Sequence, residues 1–213
     1  MRQTKNRTVC VASIVALLGL CGASQGAIMI GSNAAAGVGN TAPTFSGALD
    51  YSPLTSTTGQ LTVVLTNTSD VALNARLTAF VFNVGSAVTP SSLLLTAVGG
   101  TLTNISNGSA SPFGASYVGG AGTGGQFEGG GSPNNGLASG QTGTYTFRIT
   151  STSAPTLTAN TFLSGPYDQD FVVRFRGLAD GSSSKIPAAL VPAPGVGAMA
   201  LMGGLVAVRR KRK

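Results

Sequence analysis

Three segments of the chain alternate apolar and polar side chains. Leu61, Val63 and Leu65 fall on one face, with Thr62 and Thr66 on the other. Tyr145, Phe147 and Ile149 share a face, and Thr144, Thr146, Arg148 and Thr150 take the opposite one. Phe171, Val173 and Phe175 alternate with Arg174 and Arg176. A period of two over five or more residues is the mark of a half-buried strand. Residues 77–84 are apolar on both faces and predict a central strand. Weaker strand patterns cover 44–51, 93–98, 101–105 and 157–163. No body segment holds a helical period beyond two turns. Short Thr/Val/Phe strands between Gly, Asn, Ser and Pro turns predict an all-β fold, with a β-sandwich or jelly-roll-like body.

Residues 99–143 break this rhythm. They hold 15 of the 31 glycines. Ordering glycine costs more backbone entropy than ordering any other residue. Long loops are therefore expected here, pinned by Phe113, Tyr117 and Phe127.

The two ends differ from the body. Arg2, Lys5 and Arg7 precede a 12-residue apolar run at 9–20, and small residues follow. This is the layout of a secretory signal helix. Ser24 and Gly26 suit the −3 and −1 positions, so signal peptidase is expected to cut between Gly26 and Ala27. The run is shorter than the roughly 17–25 residues of a membrane span, which disfavours an uncleaved anchor. Lipidation at Cys21 is the other alternative, but Leu20 stands where a small residue is required. Cys10 and Cys21 are the only cysteines, and both lie in the removable segment. The mature chain then has no disulfide and must be held by its core alone.

At the other end, Val191, Pro192, Ala193, Pro194 and Gly195 form a proline-stiffened breaker. A 13-residue uncharged run at 196–208 follows, and then Arg209, Arg210, Lys211, Arg212 and Lys213. A helix from residue 194 to 208 would be roughly 22 Å long. Flanking cations and bilayer thinning can fit that to a hydrocarbon layer of about 30 Å. The positive cluster stays cytoplasmic, which puts the body outside. A core helix with a solvated tail is the rival reading. A glycolipid-anchor signal does not fit, because its tail ends apolar.

This three-part end resembles the PEP-CTERM sorting signal of bacteria that carry an exosortase. The motif stands here as Pro192-Ala193-Pro194-Gly195, similar to a Pro-Ala-Pro-Gly variant, with Ala193 where Glu is usual. The resemblance covers residues 191–213. It implies transit through the inner membrane on a C-terminal transmembrane helix, then cleavage near 192–195 by an exosortase-like enzyme. It further implies delivery to the cell surface or extracellular matrix. It implies nothing about the activity of the body.

Charge supports the division into leader (1–26), body (27–190) and sorting segment (191–213). The formal charge is +7, but eight of the 13 cations sit in the first seven and last five residues. The middle keeps five cations against six carboxylates, a balance of −1. A nucleic-acid footprint needs clustered cations on a folded face, so nucleic acid is excluded as a partner. The absence of His removes imidazole bases and ligands.

What chemistry remains is sparse. Residues 120–125 match G-x-G-x-x-G, but no helix-forming sequence follows, as a dinucleotide site requires. Asp168, Asp170 and Asp180 could ligate calcium, although Asp is common in turns. Glu128 with Asp168 or Asp170 is the one carboxylate pair that could cleave a glycosidic bond. Arg148, Arg174 and Arg176 would form a cationic patch for acidic polysaccharide if their strands were neighbours; a solubilising row is the plainer reading. Tyr51, Tyr117 and Tyr167 are the candidate sugar platforms. Asn67, Asn104 and Asn107 match the glycosylation triplet and mark polar loops. These residues predict an exported, non-enzymatic protein with no cofactor or metal. Its expected partners are the export translocon, signal peptidase and an exosortase-like enzyme, with extracellular polysaccharide as a candidate ligand. A carbohydrate-binding module and a glycan hydrolase are the alternatives.

Overall fold

The computed structural model of the chain describes residues 25–39, 42–85, 92–98, 101–165 and 169–191. The apolar run of the leader, both cysteines, Tyr167, Asp168, residues 192–195, the C-terminal apolar run and the basic end lie outside the described residues. Among the described residues no helix is long and apolar enough to cross a membrane.

Ten strands form one antiparallel sheet. They are β1 (Gln25–Ser32), β2 (Phe45–Pro53), β3 (Thr58–Asn67), β4 (Arg76–Phe82), β5 (Ser92–Val98), β6 (Thr103–Ile105), β7 (Gly119–Gly122), β8 (Thr142–Thr150), β9 (Phe171–Arg176) and β10 (Ser183–Leu190). Their spatial order is β5-β8-β3-β2-β1-β10-β9-β4-β7-β6. The first strand thus pairs with the last, with Ile30 opposite Leu190 and Ser32 opposite Ala188.

The sheet curls until its two halves face each other. Phe82 of β4 meets Phe147 of β8 edge to face, with ring centroids 5.1 Å apart. Phe80 and Tyr145 approach to 4.9 Å. Five strands separate β4 from β8 in the sheet order, so only curling brings these rings together. The period of two explains the packing. Leu61, Val63, Leu65, Tyr145, Phe147, Ile149, Phe171, Val173 and Phe175 are all buried in this core.

β4 is buried along nearly its whole length because it is covered on both faces. Phe80 and Phe82 enter the main core. Ala79 and Val81 point the other way, into a smaller cluster with Val172, Ile105, Tyr117 and Phe127. That second cluster lies under the glycine-rich stretch, and Phe113 packs against it. The expected anchors do pin this stretch.

Two expectations need correction. Residues 157–163 are not a strand. Two 3-10 turns, Ala154–Thr156 and Ala159–Leu163, occupy this part of the chain. Thr158 and Thr161 cap the second turn reciprocally, and Ala159 and Phe162, three residues apart, are both buried. That spacing is the 3-10 period, so the chain turns where it was expected to extend. The glycine-rich stretch, in turn, is not all loop. β7 is a buried strand of sequence Gly-Gly-Ala-Gly. A Cβ at Gly120 would lie 2.2 Å from the Phe80 carbonyl oxygen. Glycine is what allows β7 to lie this close to β4.

Candidate functional site: a cation row under a glycine-rich cover

The outer face of β4, β9 and β10 carries a row of basic residues. Arg76 on β4 stands opposite Arg176 on β9. Arg174 on β9 stands opposite Lys185 on β10. Like charges placed directly across a sheet repel each other and need compensation. Arg148 does not join them, because β8 and β9 are not neighbours. The cationic patch expected from Arg148, Arg174 and Arg176 is therefore not formed. Arg76 and Lys185, which the alternation pattern did not single out, stand in the row instead.

Compensation comes from the cover. The Arg174 guanidinium donates from Nη1 to the Phe127 carbonyl at 2.7 Å. Arg176 donates from Nη1 to the carbonyls of Gly130, at 2.8 Å, and Gly131, at 3.2 Å. Lys185 Nζ donates to the Ser111 carbonyl at 2.6 Å and pairs with Glu128 Oε1 at 2.6 Å. Three cations thus hold two loops, 106–118 and 123–131, against the sheet. Burial pulls the Arg174 guanidinium below its ordinary range; Glu128 opposes this shift and Arg176 adds to it. A guanidinium stays charged regardless, so its planar fork remains a donor to backbone oxygens.

Glycine makes the loop carbonyls reachable. Gly131 has φ +64, and a Cβ there would fall 2.2 Å from the Thr123 carbonyl oxygen. A side chain at this position would push the 123–131 loop off its turn. Arg174→Ala is expected to speed proteolytic nicking within 123–131. It should lower stability by about 1.5–3 kcal/mol, the usual worth of a hydrogen bond to a charged group. Arg148→Ala, on an exposed strand position, should stay within about 0.5 kcal/mol of wild type. Limited proteolysis and urea unfolding of the two variants side by side check both.

Beside the cover is an open groove of about 420 Å³, lined by Ser106, Asn107, Ser109, Gln126 and Glu128 among others. Hydroxyls, amides and one carboxylate converge there. Such a lining can hydrogen-bond a polyhydroxylated ligand. Among the described residues no second carboxylate lines this groove beside Glu128; Asp170 lines a separate cavity with Ile30, Phe171 and Leu190. The structure does not bring Glu128 and Asp170 into one cleft.

The other candidate residues are placed as follows. Asp180 Oδ1 accepts from the Ser182 amide at 2.9 Å, a turn contact. Among the described residues no three His, Cys, Asp or Glu side chains gather into a metal site. The G-x-G-x-x-G match begins in β7 and runs into a turn, with no helix after it. Tyr51 and Tyr117 are not exposed platforms, since both are fully buried. Tyr51 donates its hydroxyl to the Ala154 carbonyl at 2.8 Å, and burial pushes its phenol above the usual range. Tyr117 donates to the Gln169 carbonyl at 2.7 Å. Asn67 is not in a polar loop. It is buried at the end of β3 and bonded on both sides of its amide.

No protein-family model, curated protein or solved structure matches this chain.

Proposed function

We propose that the chain is an exported, non-enzymatic protein of the bacterial cell surface or extracellular matrix. Its working part is the body at 27–190, a β-sandwich or jelly-roll-like unit formed by the two facing halves of the curled sheet. The leader and the 191–213 segment are addresses, read by the translocon, signal peptidase and an exosortase-like enzyme in turn. The C-terminal run holds the chain in the inner membrane until it is cut near Pro192-Ala193-Pro194-Gly195.

The pairing of β1 with β10 is the observation that carries this reading. Ile30 faces Leu190, and the Val191 amide donates to the Met29 carbonyl at 3.0 Å. Toward the leader and toward the sorting segment, the chain therefore leaves the body at the same end. Both addresses can engage one membrane at once without unravelling the sheet. Met29, Leu190 and Val191 are 47%, 59% and 49% exposed at this end, which supports a membrane-facing orientation before release.

Intact-mass measurement of the protein recovered from the surface fraction tests the proposal. The expected chain starts at Ala27 and ends within 192–195. A chain ending at Lys213 in every fraction would overturn it. The groove of Ser106, Asn107, Ser109, Gln126 and Glu128 favours a second reading, the binding of extracellular polysaccharide. Retarded migration in polysaccharide-containing native gels, lost in Asn107→Ala/Gln126→Ala, would support that reading.

A further inference from the structure

The register of β1 against β2 is irregular at one place. Ile28 stands opposite Leu49 and Gln25 opposite Tyr51, so the two residues Gly26 and Ala27 share one partner, Asp50. Two residues facing one is a β-bulge, and it leaves local backbone groups unpaired. The peptide bond inside this bulge is the one expected to be cut when the leader is removed.

Asp50 is suited to what that cut produces. Leu49 and Tyr51 on either side of it are fully buried in the core, so Asp50 points to the outer face of β2. Its Oδ1 is nevertheless shut off from water and has no hydrogen-bond partner among the described residues. A carboxylate oxygen that is desolvated and unpaired is unfavourable, and a cation beside it removes the penalty. No such cation comes from the neighbouring strands. Opposite Asp50 on β3 is Thr62, flanked on the same face by Gln60 and Val64. Met29 is the next outward residue along β1. Arg148 lies across from Gln60 on β8. That is two strands away from β2, about 10 Å.

We propose that leader removal supplies the missing cation: the α-ammonium of Ala27 pairs with the Asp50 carboxylate and fastens the first strand to the sheet. The inference rests on the export reading above. Hydrolysis by signal peptidase breaks the Gly26–Ala27 C–N bond with one water. The new carboxylate departs on Gly26 with the leader. The new amine stays on Ala27 and is protonated at neutral pH, since α-amino groups ordinarily titrate near about 7.7–8.0. Directly opposed residues in an antiparallel pair are about 4.5–5.5 Å apart, within reach of an ion pair. In the precursor the same nitrogen is a neutral amide. Maturation therefore turns a weak point of the sheet, a bulge facing a carboxylate with one buried oxygen that has no partner among the described residues, into a fastened one.

The test uses the full precursor gene in a secreting host, as wild type and as Asp50→Asn. The processed proteins are recovered and weighed intact. Their amines are then methylated with ¹³C-formaldehyde and titrated by NMR. The α-amine of wild type should titrate higher than that of Asp50→Asn by about half a unit or more. It should also lie above the ordinary α-amino range, a comparison that needs no variant. A chain beginning at Ala27 whose amine titrates in the ordinary range, unchanged by Asp50→Asn, overturns this proposal and leaves the export reading standing. A chain beginning at any other residue overturns the cleavage site and this proposal together.

Discussion

Phe82→Ala is expected to lower the unfolding free energy of the body by about 3–5 kcal/mol, the usual cost of emptying a buried aromatic site. Phe82 is fully buried. Its ring meets Phe147 at 5.1 Å, Phe162 at 6.1 Å and Phe171 at 6.5 Å. These partners come from β8, from the Ala159–Leu163 turn and from β9, so one side chain joins both halves of the curled sheet. Total stabilities of domains are only about 5–15 kcal/mol. The body contains no cysteine and so has no disulfide to offset the loss. Phe82→Leu keeps most of the volume and should cost clearly less. Urea unfolding of the purified protein, followed by tyrosine fluorescence, measures both. A loss below about 1 kcal/mol for Phe82→Ala would mean that the halves do not pack as described.

Asn67→Ala is expected to cost about 3 kcal/mol, from a different cause. The Asn67 amide donates from Nδ2 to the carbonyls of Ala75, at 2.8 Å, and Leu137, at 2.9 Å. Its Oδ1 accepts from the Ser69 amide at 3.1 Å. One side chain thus serves three backbone groups, at the turn after β3, the start of β4 and the approach to β8. Truncation removes that partner from all three; the Leu137 carbonyl keeps its bond from the Leu77 amide, and a buried group left unsatisfied costs about 1–3 kcal/mol. Asn67→Asp separates shape from chemistry. It has nearly the same size, but it presents a carboxylate to two carbonyl oxygens and should be at least as damaging near neutral pH. If Asn67→Asp unfolds like wild type in urea, the amide is not the donor to these carbonyls.

The contrast between these residues shows what the sequence could reveal. Strands β3, β8 and β9 were legible because each has one wet and one dry face, and β4 because an apolar run longer than a turn has to be buried on both. Asn67 was not legible. A buried amide that serves distant backbone looks the same in sequence as a loop asparagine, and here it even completes a glycosylation triplet. β1 and β10 also escaped. Ala27, Ile28, Met29 and Ile30 are apolar without alternation, and Pro187, Ala188 and Ala189 have little strand preference. Register against neighbours, not local pattern, makes them strands. β7 has almost no side chains, so nothing in its composition could distinguish a tight strand from a loose loop.

The candidate site was half visible. The anchors Phe113, Tyr117 and Phe127 were apparent as isolated aromatics among glycines. Arg174 and Arg176 were correctly placed on the outward face of their strand, yet that face turned out to be roofed. Their bonds go to carbonyl oxygens of Phe127, Gly130 and Gly131, and backbone acceptors leave no trace in a sequence. Lys185 and Glu128 are 57 residues apart, and only the folded register makes them partners.

The insertion of β10 between β1 and β9 sets a timetable for assembly. On one side of it β5, β8, β3, β2 and β1 form a ladder, and on the other β9, β4, β7 and β6 form another. Among the described residues no strand-to-strand ladder joins the two until the stretch ending at Leu190 arrives; only the isolated bridge of Leu77 with Leu137 links them before that. A chain delivered from its amino end therefore remains incomplete until nearly all of the body has emerged. Closure by so distant a segment is also slow, because contacts far apart in sequence form late. Were the chain threaded through a narrow channel, as the export proposal has it, such a delay would keep it pliable until the threading was nearly done.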